Sequence, residues 1–156
     1  KEGGGELPGL MNMFIGNIGG CIGETSAVAL LIGAAYLLIR RVITYEIPLT
    51  YIGVTALLTW ILGGEGFFQG DFIFHVLAGG LIIGAFYMAT DYTTSPVTLK
   101  GKFIMGAGCG IITSIIRIYG NMPEGVSFAI ILMNLTVPLI ERYTAPKVFG
   151  GEKQNA

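Results

Sequence analysis

The sequence predicts an all-α integral membrane protein with about five transmembrane helices. Of its 156 residues, 53% are hydrophobic and only 12% are charged, and the mean hydropathy is +0.71. An ordinary soluble domain carries about 25% charged residues. Because a helix of about 20 apolar residues crosses a bilayer, about five such helices account for most of the chain. The net charge of −1 gives no indication of nucleic acid binding.

The chain divides into three regions. Residues 1–23 are interrupted too often by Gly and Pro to span a bilayer, so they predict an outer-side loop or a re-entrant segment. Residues 24–143 form the predicted membrane domain, and residues 144–156 form a polar cytoplasmic tail. The chain begins with Lys1, and no signal peptide precedes its first apolar run, so we expect a fragment or the ordered part of a longer protein.

The membrane domain consists of five apolar runs separated by charged or Gly-rich loops. We predict spans over about 24–43, 47–62, 71–89, 100–119 and 124–143. Trp60 near the end of the second run suits an aromatic anchor at the membrane interface. Gly80 and Gly84, and likewise Gly106 and Gly110, have the spacing that lets membrane helices pack closely.

The distribution of charge predicts the orientation of the spans. One side carries the basic residues Arg40, Arg41, Lys100, Lys102, Arg142 and Lys147, and the other carries the acids Glu65, Asp71 and Glu124. The positive-inside rule then places residues 1–23 outside and the C-terminus in the cytoplasm. We therefore expect a multi-pass protein of the inner (cytoplasmic) membrane.

An acid among hydroxyl side chains follows the third run, in the sequence Thr90-Asp91-Tyr92-Thr93-Thr94-Ser95-Pro96. A charged group at the centre of a membrane helix costs at least about 2.5–3.5 kcal/mol, which makes such a residue a functional candidate. One interpretation is a solvated turn that Asp and Thr cap. The other is a binding site, because a carboxylate with hydroxyls and carbonyls offers oxygen ligands to sodium. The hydroxyls of the same set can donate hydrogen bonds to a phosphate or to a flavin carbonyl. Its candidate residues are Thr90, Asp91, Thr94 and Ser95.

Two further polar groups allow a structural or a functional interpretation. Glu24, Thr25 and Ser26 begin the first span, either as a helix start or as a contact for an anion or a cofactor edge. Glu141 either pairs with Arg142 at the interface or is an acid at an ion entrance. In the second case Asn134 lies deeper along the same span.

Several kinds of site have no support in the sequence. Cys21 and Cys109 are far apart without a Cys-x-x-Cys motif, which excludes a zinc site or a self-contained iron–sulfur cluster and indicates packing residues. His75 follows Asp71 by one helical turn, without the partners of a metal site or a catalytic triad. Arg117 either extends towards the interface or pairs with Glu124.

Four segments of the sequence together resemble a known family. They read GNIGGCIGETSAVALLIGAAYLL, HVLAGGLIIGAFYMATDYTTSPVT, GKFIMGAGCGIITSIIRIYG and MPEGVSFAIILMNLTVPLIE, and they cover about residues 14–143. They resemble the C-terminal half of the RnfD subunit of the Rnf electron transport complex. The related NqrB subunit of the sodium-translocating NADH:quinone reductase is similar in its GETS, ATD and PEG segments.

This resemblance implies a fold, a function and cofactors. The fold is one half of an inverted-repeat, urea-transporter-like bundle. The implied function, exerted with the other Rnf subunits and not by this chain alone, is flavin-mediated electron transfer between ferredoxin and NAD, coupled to sodium or proton translocation. The family carries FMN on the Thr of a Ser-Gly-Ala-Thr motif, and riboflavin is a second candidate flavin. That motif is absent from these 156 residues, so the attachment Thr is expected upstream.

The resemblance also assigns roles to individual residues. Asp91 matches the acid of the family's A-T-D motif, and Glu141 matches the acid after P-L-I, where Glu stands for the usual Asp. Both are therefore implied to act in the ion pathway. Glu24 to Ser26 match G-E-T-S. The alternative function is a passive small-solute channel or transporter with the urea-transporter-like fold, although a neutral-solute pore has less use for an acid among hydroxyls.

Overall fold

The described part of the chain is entirely α-helical. The computed structural model describes residues 26–63, 72–77, 80–120 and 125–146, together with Phe14. Its helices are α1 (Ala27–Ile39), α2 (Glu46–Leu62), α3 (Phe72–Leu77), α4 (Leu81–Ile83) with a π-helical turn over Gly84–Met88, α5 (Leu99–Tyr119) and α6 (Gly125–Thr144). No β-strand occurs among these residues, which confirms the predicted all-α class. Most of the predicted outer segment 1–23 and of the tail lies outside the described residues.

Two of the helices are long and apolar enough to cross a bilayer. They are α5 with 21 residues and α6 with 20 residues, each with a mean hydropathy of 1.4. A rise of 1.5 Å per residue makes them about 30 Å long, which matches the hydrocarbon core of a bilayer. Both begin and end within one residue of the predicted spans. The helices α1 and α2 are apolar but shorter, with 13 and 17 residues.

Helix α1 ends earlier than the sequence predicts. The span was expected to continue to residue 43, but the helix stops at Ile39. Arg41 has a φ of 54°, in the left-handed region. That conformation costs a residue other than Gly about 1–2 kcal/mol, so the surrounding turn must hold it in place. The turn brings the chain directly into α2.

The core lies where α5 packs between α2 and α6. Tyr51 of α2, and Met105 and Cys109 of α5, are completely buried. A Cβ atom on Gly106 would lie 2.9 Å from the Ile47 carbonyl oxygen, and one on Gly110 would lie 2.8 Å from the Val54 Cβ. The Gly106–Gly110 spacing therefore brings two backbones together, as predicted, and the buried Cys109 thiol is a packing group, as predicted.

The third apolar run is divided rather than continuous. Gly80 lies between α3 and α4 with a φ of 67°, a left-handed conformation that interrupts a right-handed helix. The chain then widens into the π-helical turn, which the Ala89 amide closes by donating to the Gly84 carbonyl at 2.8 Å. Of the two glycines predicted to pack against a helix, Gly84 does so, against Val126 of α6, and Gly80 is the N-cap of α4.

Candidate functional site at the basic end

Three segments meet at the end of the helices that carries Arg40, Arg41, Lys100, Lys102 and Arg142, which we call the basic end. The loop between α1 and α2 joins α5 through a hydrogen bond of 3.0 Å from the Lys102 Nζ to the Thr44 Oγ1. The hydroxyls of Thr98 and Thr144 lie 2.6 Å apart and join the start of α5 to the end of α6. The acid-and-hydroxyl segment 90–98 therefore lies at the end of α5 that is bonded both to the α1–α2 loop and to α6.

Asp91 lies in an exposed turn of this segment. Its Oδ2 accepts a hydrogen bond of 2.5 Å from the Thr93 hydroxyl, and its carbonyl accepts one of 3.0 Å from the Ser95 amide. This is the local geometry of the capped turn that the sequence allowed. One carboxylate oxygen has a protein partner, and the exposed carboxylate remains accessible to an ion.

Thr90 and Ser95 line a small pocket together with residues from two other segments. The pocket has a volume of about 90 Å³, and its polar lining comes from Arg41, Thr44, Thr90, Tyr92, Ser95 and Lys102. The Thr90 hydroxyl donates to the Phe86 carbonyl at 2.7 Å, so its lone pairs remain for a ligand. The half-buried Thr94 and the exposed Asp91 are not among the lining residues. The structure thus brings together only part of the predicted set.

Glu141 and Asn134 lie on one face of α6, two turns apart. The Glu141 Oε1 accepts a hydrogen bond of 3.0 Å from the Val97 amide, so this acid anchors the segment that follows Pro96. Within the described part of the chain, the buried Oδ1 of Asn134 has no hydrogen-bond partner. Pro138 lies inside α6 and has no amide hydrogen to donate to the Asn134 carbonyl. Asn134 therefore offers two oxygen acceptors within an apolar helix.

Glu46 is an acid that sequence reasoning did not select. It is the first residue of α2, immediately before the predicted span 47–62, and only 8% of its surface is exposed. A hydrogen bond from Thr44 lowers the pKa of this carboxyl, burial opposes that effect, and Lys102 adds to the lowering. Its Oε2 is buried without a hydrogen-bond partner. The available signal was an acid in the first turn of an apolar helix.

The predicted group at the start of the first span is described only in part. Ser26 is the N-cap of α1, and its hydroxyl accepts from the Ala29 amide at 3.3 Å. That contact supports a helix start. Glu24 and Thr25 lie outside the described residues, so their predicted contact with a cofactor stays a prediction.

Polar groups also lie inside the core, away from the basic end. The hydroxyls of Tyr51 and Thr113 are 2.7 Å apart between α2 and α5, both fully buried. The buried Arg117 donates through its Nη1 to the His75 carbonyl of α3. This contact ties two helices together, and the proposed partner Glu124 lies outside the described residues. Neither group adds an acid to the candidate site.

The arrangement at the basic end is suited to binding ions through oxygen atoms. No three His, Cys, Asp or Glu side chains lie together among the residues that the structure covers. Hydroxyls and carbonyls therefore provide most of the polar atoms around Asp91 and Glu141. Such oxygen atoms are ligands for a hard cation. The fold is that of a helical membrane protein whose basic end carries a group of oxygen atoms of the kind that coordinate cations.

The chain belongs to the NQR2, RnfD, RnfE family, whose family model matches residues 2–150. The resemblance found in the sequence is thereby confirmed. The chain is 50% identical over 139 residues to the D subunit of the proton-translocating ferredoxin:NAD(+) oxidoreductase complex of Clostridium ljungdahlii. The match covers 88% of this chain and 42% of that relative. The chain is 47% identical over 151 residues to the D subunit of the Na(+)-translocating complex of Acetobacterium woodii, covering 96% and 46% respectively.

A third relative is the D subunit of an ion-translocating oxidoreductase complex of Stutzerimonas stutzeri. It is 42% identical over 144 residues, which are 90% of this chain and 40% of the relative. The chain thus spans less than half the length of the curated relatives it matches. All three are oxidoreductase subunits by name, which counts against the passive channel that the sequence analysis kept as an alternative.

Proposed function

We propose that this chain is part of the RnfD-type membrane subunit of an ion-translocating ferredoxin:NAD(+) oxidoreductase complex. The observation that carries the proposal is the identity of 50% and 47% to two such subunits over most of the chain. The partners are then the other subunits of that complex, and the location is the inner membrane. The fold proposed for the full subunit is the inverted-repeat, urea-transporter-like bundle.

The ion pathway is proposed to use Asp91, Glu141 and Asn134. Asp91 supplies an accessible negative charge at the basic end, where a cation enters or leaves. Asn134 supplies the buried Oδ1 and the carbonyl that Pro138 leaves without a donor. Oxygen atoms deep in an apolar helix stabilise a cation that has lost part of its water shell. One relative is named as proton-translocating and another as Na(+)-translocating, so the sequence identity to them does not decide which ion this chain would move.

The proposed cofactor is FMN attached to a Thr upstream of this chain, with riboflavin as a second flavin. A flavin, when bound, supplies one-electron transfer, and the protein supplies binding and electrostatics. Glu24, Thr25 and Ser26 are proposed to contact it at the outer side. The pocket of about 90 Å³ at the basic end is too small to enclose a three-ring isoalloxazine. Thr90, Asp91, Thr94 and Ser95 are therefore proposed to contact only the edge of a flavin that lies outside the pocket.

The coupling of electron transfer to ion translocation is proposed to follow from charge compensation. Electron transfer adds negative charge within a medium of low dielectric constant, where an uncompensated charge is costly. A cation held by Asp91 and Glu141 offsets that charge. Loss of the Asp91 charge should therefore reduce ion movement more than electron movement.

The test is Asp91→Asn in the full-length subunit, within its complex, reconstituted into vesicles. We expect ion uptake per electron transferred to fall about tenfold, which corresponds to about 1.4 kcal/mol of lost ion stabilisation. Flavin absorbance of the purified complex should not change. Asp91→Glu is the matched control, because it keeps the charge. An unchanged ratio of ions to electrons in Asp91→Asn would contradict the proposed role of this acid.

A further inference from the structure

The pocket at the basic end has the chemistry of a phosphate site. We propose that it binds the phosphate of an anionic lipid headgroup from the adjoining leaflet. Two of its lining residues, Arg41 and Lys102, are cations, and the hydroxyls of Tyr92 and Ser95 can donate to phosphate oxygens. The Thr44 and Thr90 hydroxyls already donate to Glu46 and to the Phe86 carbonyl, and the rest of the lining is apolar (Val42, Ile43 and Ile47). The assignment depends on the membrane location of the chain and not on electron transfer.

The two cations complement each other as phosphate ligands. Arg41 presents a planar fork of N–H donors that matches two phosphate oxygens, whereas Lys102 is a compact point charge. Lys102 is already held in position by its hydrogen bond of 3.0 Å to the Thr44 hydroxyl. In the part of the chain that the structure covers, neither cation forms an ion pair with an acid. The charge of Arg41 is therefore available to a ligand.

The acids around the pocket do not remove its attraction for an anion. Glu46 is close enough to interact with Lys102 through its charge, and Thr44 lies between them as a hydrogen-bond partner of both. Asp91 adjoins the lining residues Thr90 and Tyr92 but is exposed and bonded to Thr93. With Glu46 offsetting one cation, Arg41 remains as the main attraction for an anion.

The size and surroundings of the pocket favour a lipid over free phosphate. Its volume of about 90 Å³ is several times the space of about 10–15 Å³ that one water molecule needs, and a tetrahedral phosphate fits it. Exposed apolar side chains lie in and beside its lining segments: Val42, which lines the pocket, is 44% exposed, and the nearby Ile39 and Leu99 are 79% and 59% exposed. Acyl chains can pack on them while the headgroup reaches the cations. Basic pockets between helices on the cytoplasmic side commonly bind anionic headgroups.

The experiment measures lipid retained by the purified complex. The complex is equilibrated with phosphatidylcholine vesicles with and without phosphatidylglycerol, extracted in detergent, and its bound lipid is quantified by mass spectrometry. We expect Arg41→Gln to lower bound phosphatidylglycerol about tenfold, as for the loss of one charge-assisted contact, and Lys102→Gln to lower it less, because Glu46 already offsets the Lys102 charge. Arg40→Gln and Lys100→Gln are matched controls, because these exposed cations lie beside the pocket and do not line it.

A second variant separates lost binding from lost folding. Arg41 has a left-handed φ of 54°, which Gly adopts without strain. Arg41→Gly removes the guanidinium while relaxing the backbone, so it should lose the lipid without losing thermal stability. Equal losses in Arg40→Gln and Arg41→Gln would overturn the proposal, because they would indicate a general surface charge effect.

Titration with inorganic phosphate distinguishes a lipid headgroup from free phosphate as the ligand of the pocket. Titration of phosphate into the complex in phosphatidylcholine vesicles, followed by calorimetry, should show no binding if the lipid is the ligand. Binding of phosphate that Arg41→Gly abolishes, without retention of phosphatidylglycerol, would overturn the lipid as the source. If Arg41→Gly lowers neither lipid retention nor phosphate binding, the pocket is not a phosphate site.

Discussion

The interface of α2 with α5 and the basic end differ in how completely their polar groups are paired within the protein. Inside the interface, each hydroxyl has a partner in the protein: Tyr51 and Thr113 bond to each other, and Thr55 and Thr59 donate to carbonyls one turn earlier. At the basic end, Asp91 is exposed. The two buried oxygens without partners on Glu46 and Asn134 lie at this end and on the helix face that leads to it.

This difference separates groups that hold the fold from groups that are available for binding. Burying a polar group without a hydrogen bond costs free energy, so a satisfied core stabilises the protein. A buried oxygen that no protein group bonds is available to a water molecule, an ion or another ligand. Substitutions in the interface should therefore change stability, and substitutions at the basic end should change function.

The largest effect is expected from Gly106→Ala. The added Cβ would lie 2.9 Å from the Ile47 carbonyl oxygen and 3.0 Å from the Thr50 Cβ. Backbone atoms cannot move away alone, so α2 and α5 must separate, and we expect a loss of about 1–3 kcal/mol in the free energy of unfolding. Thermal unfolding in detergent, followed by circular dichroism, measures this loss.

Gly53→Ala is the matched control for this substitution. Gly53 lies within α2, but a Cβ there meets nothing within 4 Å. Ala is favoured over Gly in a helix by about 0.5–1 kcal/mol, so Gly53→Ala should stabilise the protein. Stabilisation in both variants would show that helix propensity, and not the close approach of two backbones, decides the effect at Gly106.

A smaller effect is expected from removing one hydroxyl of the buried pair. Tyr51→Phe leaves the Thr113 hydroxyl without the partner that lies 2.7 Å away. Hydrogen bonds between membrane helices contribute about 0.6 kcal/mol on average and at most about 1.7. The coupling energy comes from the free energies of unfolding of Tyr51→Phe, Thr113→Val and the double variant. Strictly additive single effects would contradict a stabilising bond.

Long apolar patterns made the helical class, α5 and α6 predictable, because length and hydropathy alone determine a full span. The Gly106–Gly110 packing was predictable from a different local pattern, because small residues four apart recur on one helix face. The interruption at Gly80 was not, because one Gly in an apolar run is also compatible with a continuous helix. The pocket with Arg41 was not predictable either, since it combines residues from segments far apart in the sequence.

The smallest change in stability is expected at the residue with the largest proposed role. Asp91 is exposed, and among the described residues its carboxylate bonds only to the neighbouring Thr93 hydroxyl, at a distance of 2.5 Å. Exposed substitutions usually change the free energy of unfolding by less than about 0.5 kcal/mol. Asp91→Asn should therefore unfold at nearly the wild-type temperature while ion uptake falls. Thr93→Ala removes the same hydrogen bond and keeps the acid, so it should retain ion uptake. A large loss of stability in Asp91→Asn alone would instead make this acid a structural part of the turn.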